Sequence, residues 1–315
     1  VDFSLDDVVL ERAFTKEDAD AYKIPAGDDL TLAYRLNLSD AAKLDYDKIL
    51  AMAEGDEAAL SAITYTFATE HSHGYSADAN GESFYIEHRG RVYGAENIKA
   101  AADCISALGA ESPCYDLYYS MMETFMDPND PDDPHGFVKL SDGSVLNVRL
   151  VDLHRDNLAQ PANGRTKAGM TFEFVQCIAM GKMNSDRSAS GGWQRSQMRT
   201  STLAENGPVW NRLPSVLRAS IVPVKKASVV YGGSIATTTD KLFLMSMGEK
   251  GSSLPDGPSY SYGGKVPDVT KRYGASSVLF WLRSGVAKSN ACFWRSDAQY
   301  PYANVDYGVA PLFCI

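Results

Sequence analysis

Apolar positions repeat with two different periods along the chain, and the change of period organises it. Over residues 95–108 they fall at Ile98, Ala102, Ile105 and Leu108, the spacing of a helix that hides one face, and Gly109 follows as a stop. A similar spacing through Ala42, Leu44, Ile49, Leu50 and Met52, behind a Ser39 and Asp40 cap and before Gly55, predicts a helix over 40–53. Pro113 marks the start of a further helix over 115–126, apolar enough to be largely buried. Between these, Phe84, Ile86 and His88 alternate and the chain turns at Arg89 and Gly90, which predicts a hairpin. Residues 1–136 therefore read as mainly helical with a small sheet.

From residue 137 the period is two. Residues 137–140 and 145–150 flank Ser141-Asp142-Gly143-Ser144, a hairpin signal. Residues 170–180 predict one strand, and 221–230 another. Residues 205–217 predict a helix with Pro214 near its end, and 164–169, 184–192 and most of 254–274 are loops rich in Gly, Ser or Pro. The fold class expected is α+β, with a mixed, mostly antiparallel sheet, two helices and long loops in the second part.

Charge sharpens this division. Residues 1–136 hold 28 acidic and 9 basic side chains, residues 137–315 hold 12 and 21, and all four tryptophans lie in the second part. The step falls at DPNDPDDP, residues 127–134, where three prolines and no apolar side chain predict a linker. Calcium would need Gly at fixed offsets among those carboxylates, and the run lacks it. Two domains are expected: an acidic, mainly helical attachment or accessory domain over 1–136, and a ligand-binding domain over 137–315. No apolar run approaches the roughly 18 residues of a membrane helix, so no span is expected. The opening residues are acidic where a signal peptide is basic.

Reactive side chains are sparse. His71 and His73 share a face if extended, with Glu70 or Asp78 nearby, but two histidines in a polar loop are more often solvated than metal-bound, so no metal is expected. Five cysteines, Cys104, Cys114, Cys177, Cys292 and Cys314, show no Cys-x-x-Cys spacing and are expected as buried free thiols. Without a P-loop, a dinucleotide fingerprint or a Ser/His/Asp set, neither enzyme activity nor a cofactor is expected. The basic second part carries no nucleic-acid module, so nucleic acid is not an expected partner.

The tail carries the strongest functional signal. Apolar frames at 278–282 and 309–315 enclose Asn290, Phe293, Trp294, Arg295, Asp297, Gln299, Tyr300, Tyr302, Asn304, Asp306 and Tyr307. Aromatic rings beside short polar groups and arginine give large contact area at small entropic cost, so this middle is the candidate ligand surface. Trp281, in the first frame, is expected in the core.

Four ordered blocks carry a resemblance. They are GGWQRSQMRT at 191–200, NRLPSVLRASIVPVKK at 211–226, TTDKLFLMSMGE at 238–249, and WLRS at 281–284 followed by GVAPLFCI at 308–315. Together they resemble an uncharacterised bacterial and phage domain family ending in WLRS…GVxPxF, similar to retroelement-diversified variable proteins and to the formylglycine-generating-enzyme fold. The resemblance implies a C-type-lectin-like fold over about 137–315, with the variable tail as the ligand face on a virion or bacterial cell surface. Gly285 stands where that family usually has Pro, and Ala310 where it has Arg.

The alternatives are a structural virion or surface component without a ligand, and a formylglycine-generating-type oxidase. The oxidases need two copper-binding cysteines close in sequence, and Cys292 and Cys314 do not match. No Glu-Pro-Asn, Gln-Pro-Asp or Trp-Asn-Asp triplet is present, so a protein or cell-surface ligand is expected ahead of a calcium-held glycan. A homo-oligomer is compatible with all of this. Trp193, Arg195, Arg199 and Arg283 belong to the blocks rather than to the variable middle, and are expected to hold loops together.

Overall fold

The computed structural model describes 7–13, 31–37, 75–76 and 82–315, without 89–90, 113, 125–134, 163 and 263–267. The described residues form a mixed α+β fold of mostly antiparallel sheets with few helices, and the C-terminal part is rich in strands. Strands β1 (Asp7–Ala13) and β2 (Thr31–Asn37) pair with each other. The predicted helix at 40–53, His71, His73 and the Asp/Pro run at 127–134 lie outside the described residues.

An eight-stranded sheet is the scaffold. Its members are β3 (Tyr75–Ser76), β4 (Phe84–His88), β5 (Arg91–Gly94), β6 (His135–Lys139), β7 (Val145–Leu153), β10 (Met170–Phe174), β14 (Leu242–Phe243) and β20 (Leu312–Cys314). They lie in the order β14-β20-β10-β7-β6-β4-β5-β3, every pair antiparallel. The β6–β7 turn forms where expected: Gly143 takes φ +82°, and Leu140 N–H donates to Ser144 O at 2.8 Å. Phe84, Phe172 and Phe313, one from each of three strands, are fully buried with centroids 5.4 to 6.0 Å apart. Burying each such ring contributes roughly 1.5–3 kcal/mol relative to leaving it exposed.

Helix α1 (Ala95–Leu108) packs on β4, β5 and β10 through Ile98, Ala101, Ala102 and Ile105, as its spacing predicts. It ends at Gly109, φ +57°. Its approach beside β10 is so close that a Cβ on Gly169 would sit 1.9 Å from Ala102 O, so only glycine fits. Helix α2 (Tyr115–Thr124) follows, with Tyr118, Met121 and Met122 buried. The division expected at 136/137 falls inside β6, which pairs with β4 on one side and β7 on the other. Sheet and core run across that position, because strand pairing follows apolar alternation.

Residues 170–180 are not one strand: after β10 the chain bends at Val175, whose N–H goes to Asn147 O, and resumes as β11 (Ala179–Gly181) with a different partner. The expected loop at 164–169 contains β9 (Arg165–Lys167), paired with β8 (Asn157–Ala162). The expected helix at 205–217 is split into α4 (Pro208–Arg212) and α5 (Ser215–Ser220), because Pro214 cannot continue a helix from its preceding residue. A second sheet orders β13 (Ile235–Asp240), β12 (Val224–Val229), β8 and β9.

The polar residues of the sequence blocks meet inside the protein. In the short helix α3 (Gly192–Arg195), Trp193 is fully buried and its Nε1 donates to Asp240 Oδ2 at 2.9 Å; Arg199 Nε donates to Asp240 Oδ1. Arg195, by contrast, is exposed. Arg283 is fully buried with all five donors used: both Nη groups fork onto Glu249, and Ala227 O, Leu244 O and Asp256 O take the rest. Lys226 likewise spends its three protons on Asp156, Glu249 and Tyr260. Burial alone would raise the Glu249 carboxyl, but Arg283 and Lys226 outweigh it and hold it at about 2. Lys271 and Arg149 do the same for buried Glu173, also at about 2.

Candidate functional site

The tail is fastened to this interior at both frames. Strand β17 (Trp281–Gly285) buries Trp281 completely, and its Nε1 donates to Gly181 O at 2.8 Å. Strand β19 (Tyr307–Val309) pairs with β11, and a parallel bridge joins Phe280 to Gly308. Gly308 permits that contact, since a Cβ there would meet Cys177 Sγ at 2.4 Å. At Gly285 a Cβ would lie 2.6 Å from Val229 O, which accounts for glycine in this chain at the end of WLRS.

Between the frames the chain makes a ribbon. Strand β18 (Phe293–Arg295) pairs with β17. It then turns back on itself, with Arg295 N–H on Gln299 O at 2.8 Å, Phe293 N–H on Pro301 O at 3.3 Å and Ala303 N–H on Ala291 O at 2.9 Å. Ala298 closes the tip at φ +58°, a left-handed conformation seldom taken by a residue with a Cβ. A clamp braces the tip: Arg295 donates to Asp297 through Nε at 2.9 Å and Nη2 at 2.7 Å, and its Nη1 reaches the Tyr307 hydroxyl. These hydrogen bonds hold the Asp297 carboxyl below its usual range.

The candidate residues separate accordingly. Tyr300 and Tyr302 are 55% and 47% exposed, and Asn290, Gln299 and Asp306 are exposed as well. Trp294, Arg295, Asp297, Asn304 and Tyr307 are half-buried, Trp294 lying edge-on to Tyr300 at 5.4 Å and Tyr307 edge-on to Trp281 at 5.0 Å. Phe293 is a correction. It is fully buried, because the β17 pairing turns its ring inward, and it belongs to the core rather than to a surface. The clamp also removes Arg295 as a free cation, since Asp297 neutralises it.

Two contributors from the 182–190 segment were not among the expected site residues. Arg187 lays its guanidinium 3.5 Å above the Tyr302 ring, and Lys182 stands 3.8 Å from Asp306. Backbone bonds from Ala189 N–H to Asn290 O and Asn184 N–H to Ala303 O hold this loop against the ribbon. Only its polar, Gly/Ser-rich composition signalled it. The resulting face carries two tyrosines, a half-buried tryptophan, amides and charges of both signs. Among the described residues no three His, Cys, Asp or Glu side chains group as metal ligands, no helix is long and apolar enough to cross a membrane, and the five cysteines are free and buried.

Residues 162–315 match a family model described as Domain of unknown function (DUF6273), a range that contains all four blocks and the ribbon. No curated protein and no solved structure matches the chain.

Proposed function

We propose that the chain is a non-enzymatic ligand-binding protein of the adhesin or receptor-binding kind, with a C-type-lectin-like C-terminal part displayed on a phage particle or bacterial cell surface. The observation that carries this reading is the presentation of Tyr300 and Tyr302. Two large rings stand in solvent on a ribbon whose backbone is fixed by its own hydrogen bonds, so contact costs little ordering. The mostly antiparallel sheet and the pairing of the two tail frames support the lectin-like assignment. The ligand is a protein or another cell-surface group, recognised without a bound calcium ion.

The test is a pair of full-length proteins, the parent and Tyr300→Ala/Tyr302→Ala, compared for binding to candidate host cells and their surface extracts. Binding by the parent and its loss in a variant with unchanged melting is expected. A folded variant that binds as the parent does would overturn the assignment of this face. A parent that binds none of the host surfaces would favour the second reading, a structural virion or surface component.

A further inference from the structure

The polar cluster around Lys226 does more than balance charge. Strands β12 and β8 are antiparallel with Val224 opposite Leu158, and Asp156 stands one residue before β8, where Lys226 of β12 reaches it. The Lys226 ammonium, fully buried, touches Asp156 Oδ1, lies 2.9 Å from Glu249 Oε1 and 2.6 Å from Tyr260 Oη, and has the Phe243 ring 4.0 Å away. The other Asp156 oxygen, Oδ2, accepts from Thr171 Oγ1 at 2.8 Å, Tyr260 Oη at 3.0 Å and Cys314 Sγ at 3.4 Å. An amine and a carboxyl group are thus in contact where water is excluded, with three donors aimed at the oxygen that faces away from the amine.

We propose that Lys226 and Asp156 condense into an intramolecular amide, Nζ to Cγ, with the release of one water. One ammonium proton passes to Oδ1 and leaves a neutral amine beside a carboxylic acid, which moves no net charge into or out of the core. The amine lone pair attacks Cγ, and the C=O electron pair moves onto Oδ2, where Thr171, Tyr260 and Cys314 donate to the developing oxyanion. A second nitrogen proton goes to the Oδ1 hydroxyl, the C–O bond breaks, water departs and the C=O bond re-forms. The third proton remains as the amide N–H, facing Glu249. No oxidant or other co-reactant enters the balance.

Two comparisons within the molecule explain why Asp156 is the acyl partner. Glu249 is forked by Arg283 and Glu173 by Arg149, so each stays a carboxylate that an amine does not attack; Asp156 has Lys226 as its ion-pair partner and, among the described residues, no arginine on it. Condensation also removes one buried charge of each sign and leaves the Arg283–Glu249 pair neutral as a unit, which relieves the desolvation that buried ions carry. Contact between the groups in a fixed geometry supplies the proximity that an uncatalysed amide formation lacks.

The measurement is the intact mass of the full chain under denaturing conditions, followed by protease digestion and sequencing of any branched peptide. The expected result is a chain lighter than its sequence by one water, with a peptide joining Lys226 to Asp156. In Asp156→Asn the same attack would expel ammonia, so that variant should be lighter by one ammonia instead. A parent at its full sequence mass overturns the proposal, as does a loss of water without the joined peptide. An Asp156→Asn protein that still loses water overturns it too. The parent protein alone decides the question if the variant does not fold.

Discussion

The interior around Glu249 and the ribbon tip around Asp297 use the same parts, an arginine forked onto a carboxylate with a tyrosine hydroxyl beside it. Water makes them different. Around Arg283 every donor ends on protein, so removing either partner strands a buried charge; around Arg295 the clamp is half in solvent, which can replace what is removed. One site commits the fold, and the other sets the posture of a surface.

The largest effect separating them is expected from Arg283→Ala and Trp281→Ala, each about 3–5 kcal/mol by chemical denaturation, the first because buried Glu249 and Asp156 are left with Lys226 alone between them and the second from a core cavity. A loss under 1 kcal/mol for Arg283→Ala would show that water reaches this interior. Acid should act next. Glu249 and Glu173 sit at about 2, below the roughly 4.3 of a free glutamate. As pH falls the unfolded chain therefore takes up protons first. The stability from Glu173, on the order of 3 kcal/mol, is present above about pH 5 and lost on approach to pH 2, and Glu249, held down by Arg283, changes it in the same direction. Urea midpoints at pH 7, 5 and 3 check this, and equal midpoints would refute the pairing.

Smaller effects belong to the ribbon. Asp297→Ala should cost about 1 kcal/mol or less, as a pair still open to solvent does, yet raise amide exchange at 296–300 because the tip loses its brace. Unchanged exchange would show that the backbone bonds suffice. Tyr300→Ala/Tyr302→Ala should change stability by no more than about 0.5 kcal/mol. A larger cost would make these rings part of the packing.

Local pattern was legible where one element answers to its own residues. Helix α1 and its Gly109 stop, the β6–β7 turn and the burial of Trp281 all follow from spacing and turn chemistry. What sequence alone could not show was partnership across the chain. Nothing in residues 170–180 announces that β10 and β11 join different neighbours, because that break is made by Asn147 and β19 from elsewhere. Arg187 was likewise invisible as a site residue, since its ring partner lies more than a hundred positions away. Phe293 looked like its neighbour Trp294 until pairing with β17 assigned them opposite sides. The blocks mark Trp193, Arg199 and Arg283 as structural, but only the fold shows them converging on Asp240 and Glu249.

The way the ribbon is tied has a practical consequence for engineering. Its shape rests on main-chain bonds among 291, 293, 295, 299, 301 and 303 and on the Arg295–Asp297 brace, not on the side chains at 290, 299, 300 and 302. A combinatorial library randomised at those four positions, with the brace and frames kept, should express as mostly well-folded members. Selection from such a pool could then install new specificities on an unchanged chassis.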